Sequence, residues 1–205
     1  MQVRLAVLVF TVLLSGCVTA PRTSPSAALA NAASTAQKRG DWAVAAQLWE
    51  QAIEKETTGL WRPEFAASPR LRAIYHYELG RSLGVLEKYD EGEKNLLQAL
   101  RLDEQSNGPK GMDLVELARL NHARGNNDRA ASFINQFLPR LDEASEADPA
   151  AYIALLNEVI AVFQALDQNS QASELKAKAE KFSARHPNAK IADNYGWTPY
   201  KVTGK

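Results

Sequence analysis

A single cysteine, Cys17, is the chain's whole supply of thiol, so no internal disulfide can form in any compartment. Histidine is nearly as scarce. His76, His122 and His186 stand far apart, with no HExxH and no paired-cysteine arrangement. A zinc site draws about four ligands from such clusters, so neither a metal nor a cofactor is expected. There is no GxSxG, no P-loop and no GxGxxG, and with them go a nucleophile elbow and a phosphate cradle. An excess of charge is missing too, because 24 Lys+Arg balance 24 Asp+Glu. Nucleic-acid binding usually needs a basic surplus on one face. Val, Ile and Thr are thin beyond residue 27, while Ala, Leu, Glu and Gln abound; that composition suits helices and not sheets. Acidic pairs such as Asp90-Glu91 and Asp142-Glu143 read as solvated helix ends. No constellation asks for an enzyme.

What is present begins with an apolar run, Leu5 to Leu14, behind Arg4. Ten residues are too few to span a bilayer as a helix, so residues 1–16 read as a secretory signal peptide. The run ends in Leu14-Ser15-Gly16-Cys17, which resembles the bacterial lipobox. That resemblance implies cleavage before Cys17 and acylation of it, palmitate included, as a lipoprotein. One acyl chain holds a membrane only marginally, at about 0.8 kcal/mol per buried CH₂; three should anchor permanently. Val18 stands where an aspartate retains enterobacterial lipoproteins in the inner membrane. The resemblance therefore implies the outer membrane, facing the periplasm. Residues 17–26, rich in Pro, Ser and Thr, read as a lipidated tether.

From residue 27 to 186 helical periodicity takes over. Between Ala73 and Asp103, apolar residues recur at Ile74, Tyr77, Leu79, Leu83 and Leu86, then at Leu96, Leu97, Ala99, Leu100 and Leu102. Lys88, Tyr89 and Asp90 interrupt them, so the stretch predicts two helices joined as an αα-hairpin. Further helical patterns cover 27–39, 42–56, 112–124, 128–138, 149–166 and 170–184. Asp128 is a candidate N-cap, and Asp148-Pro149 opens a helix. Pro139 bends or ends its helix. The loop from Thr57 to Pro69 carries Leu60, Trp61 and Phe65, which either cap the core locally or meet a partner. Residues 187–205 have no helical period; Tyr195, Trp197 and Tyr200 could pack back on the last helices or engage a partner.

Aligning the turns uncovers a repeat. Gly40-Asp41-Trp42 with Ala45 matches Glu87-Lys88-Tyr89 with Gly92, Gly125-Asn126-Asn127 with Ala130, and Asp167-Gln168-Asn169 with Ala172. A small residue at each of these places lets two helices cross closely. Leu79, Gly80, Leu83, Tyr89 and Ala99, with Gly40, Trp42, Ala45, Trp49 and Ala52, resemble the tetratricopeptide repeat (TPR), whose period is about 34 residues. The resemblance implies an all-α fold, a right-handed superhelical stack of about four αα-hairpins. It departs from the pattern in its longer spacings and in Gly92 for the usual alanine.

On that template the first helix of each hairpin lines a concave face. Tyr77 and Arg81, Arg119 and His122, and Asn157 and Gln164 are expected there as a partner groove. Arg81 and Arg119, one repeat apart, form a basic ridge suited to carboxylates, or else pair with Glu78, Glu116 or Glu158 nearby. Trp61, Trp197 and Tyr200 are further candidates for a partner-binding loop or tail. The resemblance implies a membrane-anchored protein–protein interaction scaffold, of the kind that assembles pili or secretion machinery. The alternative is an envelope enzyme accessory or glycan-binding protein that stacks sugars on its aromatics.

Overall fold

The computed structural model describes residues 24–58, 68–142, 145, 148–189 and 198–201. Cys17, the loop with Trp61, and Trp197 lie outside the described residues. The described chain holds eight α-helices and no strand. They are α1 (Pro25–Lys38), α2 (Trp42–Thr58), α3 (Pro69–Val85), α4 (Tyr89–Ser106), α5 (Lys110–Ala123), α6 (Asn127–Phe137), α7 (Pro149–Ala165) and α8 (Asn169–Arg185). Consecutive helices pack on one another, each most closely on its mate in the pairs α1/α2, α3/α4, α5/α6 and α7/α8, so the architecture is a row of four hairpins.

Three of the hairpins open in the same way, with a capping side chain followed by proline. Ser24, Ser68 and Asp148 accept from the backbone N–H three residues on, at 3.1, 3.2 and 3.0 Å. Pro25, Pro69 and Pro149 follow at the first helical position, where a missing N–H costs nothing. Pro25 and Ser26, expected in the tether, therefore belong to α1, and Ser26 is buried. Asn126, and not Asp128, caps α6, accepting from Arg129 N–H at 3.4 Å. Pro139 ends α6 by turning its last residues into a 3₁₀ turn, Leu138–Arg140.

All four hairpins turn by one device. Gly40, Glu87, Gly125 and Asp167 have φ of 81°, 62°, 82° and 55°. The next residue's N–H reaches back to Ala36, Leu83, Asn121 and Phe163 at 2.8–3.0 Å. This is the Schellman closure, in which a left-handed residue satisfies the last helical carbonyls. The second and fourth turns have the same geometry as the other two although Glu87 and Asp167 stand in place of glycine.

Two apolar clusters form the core. One joins α1, α2 and α3 around Trp49, Tyr75, Leu79 and Leu83. The other runs from α4 to α8 around Leu117, Leu120, Leu156 and Phe163. The small residues of the repeat lie buried at the hairpin crossings: Ala45 and Ala130 are 0% exposed, and Ala172 and Gly92 are also buried.

Candidate functional site

Arg81 sits on α3 one turn beyond Tyr77, and its guanidinium lies 5.6 Å from the Tyr77 ring. Arg119 occupies the corresponding place on α5, the first helix of the next hairpin. The structure brings the two together on a single residue. Arg81 Nε donates to Thr198 Oγ1 at 2.7 Å, and Arg119 Nη2 donates to the Thr198 carbonyl at 3.0 Å. Thr198 is 1% exposed.

The segment 198–201 lies along α3, α4 and α5. Tyr200 N–H turns back to the Thr198 carbonyl at 2.9 Å. The Tyr200 ring lies 5.6 Å from the Arg119 guanidinium. Its edge fills the space beside Gly84, where a Cβ would stand 2.5 Å from Tyr200 Cε1. A glycine within an otherwise good helix costs up to about 1 kcal/mol; here it makes the slot for the ring. Tyr89 donates its hydroxyl to the Lys201 carbonyl at 3.2 Å, and Lys201 Nζ reaches Glu87 Oε1 at 2.7 Å.

These contacts correct three expectations. Tyr200 is not a free aromatic, since it is partly buried on α3 and α5 and does not pack on the last helices. The arginines are not exposed either: their side chains are 17% and 10% exposed. Nor do they form a bare basic ridge. Arg81 pairs with Glu78 at 3.0 Å, and Arg119 with Glu116 at 3.4 Å and Glu158 at 3.8 Å. Of the two alternatives posed by the sequence, the structure shows the local pairing. Three carboxylates surround two guanidiniums, so what the arginines offer Thr198 is directed N–H groups more than charge.

The electrostatics agree. Burial opposes charge on Arg81, but Glu78 and Glu116 outweigh it and its pKa is raised. Burial, then the charge of Glu116, hold the phenols of Tyr77 and Tyr200 well above their ordinary value. Both rings therefore stay neutral across the physiological range.

The other predicted groove residues do not join this site. His122 Nδ1 engages Asn127 Oδ1 at 2.7 Å in the turn between α5 and α6. Asn157 and Gln164 stand exposed on α7, and the α7 residue that reaches Arg119 is Glu158. Thr198 and Gly84 were not anticipated. Gly84 did carry a signal, because glycine inside a helical pattern marks close approach.

Two buried polar groups complete the picture. Glu93 accepts from Asn121 Nδ2 at 3.1 Å, from Arg124 Nη2 at 2.8 Å and from Arg129 Nε. It thereby ties α4 to α5 and α6. Asp103 and Asp113 are 6% and 2% exposed, and their carboxyls lie close enough to interact. Burial, then the charge of Asp103, push Asp113 up to about 8. Among the described residues no three His, Cys, Asp or Glu side chains are grouped to hold a metal ion. No described helix is long and apolar enough to cross a membrane.

No protein-family model matches the sequence, and no curated protein matches it. Solved structures do match the fold. One is a single-site variant of a Podosopora anserina chain of nearly identical TPR-like repeats, of kinesin light chain type, with a TM-score of 0.65 at 20% identity, covering 84% of this chain and 81% of that one. The parent chain aligns with a TM-score of 0.63 at 21% identity, covering 80% and 78%. At such identity the likeness speaks for the architecture, and the fold is that of a TPR-like helical solenoid.

Proposed function

We propose that the protein is a non-enzymatic scaffold that holds a protein partner at a membrane surface. One observation carries this reading: two arginines from successive hairpins hold one residue, Thr198, by its side-chain hydroxyl and its main-chain carbonyl. A stack of hairpins that reads backbone and side chain in this way is built for peptide recognition. Lipidated Cys17 is the anchor, on the sequence Leu14-Ser15-Gly16-Cys17. The setting that fits is the outer membrane facing the periplasm, with the scaffold serving assembly of a pilus or secretion system. The glycan-binding alternative loses one of its aromatics, since the Tyr200 ring is taken up beside Gly84.

The test is capture from detergent-solubilised envelopes on the tagged full-length chain, with mass spectrometry of the mature N-terminus. Expected are co-purified secretin or pilus components and an acylated Cys17. Recovery of glycan alone would overturn the scaffold reading. An unmodified N-terminus at any other residue would overturn the anchor.

A further inference from the structure

The grip on Thr198–Lys201 has the form of a ligand complex made within one chain. Of its four residues, Thr198 and Tyr200 face the helices, and Pro199 and Lys201 are exposed. The Tyr200 N–H bond to the Thr198 carbonyl closes a tight turn at Pro199, so the two residues flanking the turn face the helices and Pro199 does not. Thr198 contributes a hydroxyl and a carbonyl, both neutral acceptors, to two guanidiniums that already have carboxylate partners. Tyr200 contributes a ring to the slot left by Gly84. The exposed Lys201 meets Glu87 at the rim.

From this geometry we infer that Thr198–Lys201 is a displaceable internal occupant of the partner groove, and that the partner presents the same pattern: a neutral peptide with Ser or Thr at one position, an aromatic ring two residues later and a tight turn between them. The inference rests on the scaffold reading for its biological partner, but not for the exchange itself. The ligand is not an acidic segment, because Glu78, Glu116 and Glu158 would repel one where the arginines hold Thr198. The occupant competes from within the chain, and such attachment acts at an effective concentration on the order of millimolar. A partner must therefore match its pattern, or arrive where the segment has been drawn away.

Competition fixes the sign of the test. The probe is a fluorescein-labelled peptide of this chain's own residues 195–203, with a control peptide in which the tyrosine corresponding to Tyr200 is alanine. In the full chain, Tyr200→Ala empties the slot and leaves Arg81, Arg119 and Gly84 in place. A groove open in about one molecule in ten binds about tenfold more weakly than an open one. The Tyr200→Ala protein should thus bind the probe at least about tenfold more tightly than the wild type, and the control peptide should bind neither. Equal binding by the two proteins, or none by a Tyr200→Ala chain with a cooperative melt, would overturn the inference.

Should Tyr200→Ala fail to fold, a protease site placed among residues 190–197 lets the wild-type chain fold first and be cut afterwards. Release of the cut segment on dilution, with probe uptake in its place, is expected. Retention of the cut segment against excess probe overturns the exchange. Envelope capture separates the two claims. Partner recovered without exchange removes only this inference, while exchange without any captured partner removes only the scaffold reading.

Discussion

Gly80 and Gly92 face each other across the crossing of α3 and α4, backbone against backbone. A Cβ on Gly80 would stand 2.9 Å from the Gly92 carbonyl oxygen, and one on Gly92 would stand 3.0 Å from that of Gly80. The approach is closer than an alanine at either position would permit without a shift. Where the TPR pattern has alanine, this chain has glycine for a stated reason: its partner across the crossing is also glycine.

Gly92→Leu should therefore destabilise the protein. Overpacking costs about 1–3 kcal/mol, whereas the helix propensity gained on losing glycine is at most about 1 kcal/mol. Leu120 Cδ1 lies at 3.0 Å and Gly84 N at 3.3 Å from the same Cβ position, so the side chain has nowhere to turn. Thermal melting checks this; an unchanged or raised Tm would contradict the crossing.

Stability should fall as pH rises through neutrality. The fold raises the pKa of Asp113 from 3.8 to about 8, so the folded state holds its proton more tightly than the unfolded chain. The stabilisation is complete below the unfolded value and is lost by about pH 8. Asp113→Asn keeps the shape, cannot ionise, and can donate to Asp103. It should flatten the profile and raise stability at about pH 8 by about 1–2 kcal/mol, on the order of 4 °C or more in Tm. A variant whose Tm tracks the wild type from about pH 5 to about pH 8.5 would show that the pair carries no such proton.

Glu93→Ala should cost about 1–2 kcal/mol, because it removes one acceptor from the buried Asn121 amide, which keeps the Leu117 carbonyl, and one from Arg124, which keeps Asp90 and Asn121. Arg129 is 46% exposed and adds little to that figure. Urea denaturation measures it, and a loss under about 0.5 kcal/mol would place Glu93 among ordinary surface acids.

Peptide binding to the Tyr200→Ala chain should depend only weakly on salt. The groove presents N–H donors to neutral oxygens, and its guanidiniums are already paired. Between about 0.05 and about 0.5 M NaCl the affinity should change less than about threefold, whereas a bare arginine ridge reading a carboxylate would be screened far more. The same pairing bears on charge reversal. Arg81→Glu with Arg119→Glu would put two more acids among Glu78, Glu116 and Glu158 at largely buried positions. That double variant should lower Tm markedly before any binding is measured.

The helices, their order and the hairpin turns were legible in the sequence because they rest on local chemistry. The Ser-Pro and Asp-Pro starts, the apolar spacing and the small residue at each crossing are all read within a few positions of one another. Asp167 shows where that local code thins: it adopts the left-handed turn without being glycine, and the surrounding hairpin imposes it. The equivalence of Arg81 and Arg119 was legible as a spacing of 38. What they hold was not. Thr198 lies 117 residues from Arg81, in a stretch without periodicity, and no local pattern points to it. Likewise Asp113 is an ordinary first-turn acid in sequence, and becomes unusual only because the α4–α5 connection folds Asp103 onto it.

A linear stack ordinarily unravels from its ends, because each unit touches only its neighbours and a terminal unit has one neighbour fewer. The contact of Thr198 and Lys201 with Arg81 and Tyr89, across 117 and 112 residues, changes that. The chain that leaves α8 is buckled back to the second and third hairpins, closing a ring in the connectivity of a fold that has none in its helices. Closing so long a loop is entropically slow, so the buckle should form late in folding. Once formed, it restrains the far end of the chain that leaves α8, and amide exchange in α8 should become coupled to opening of the groove between α3 and α5.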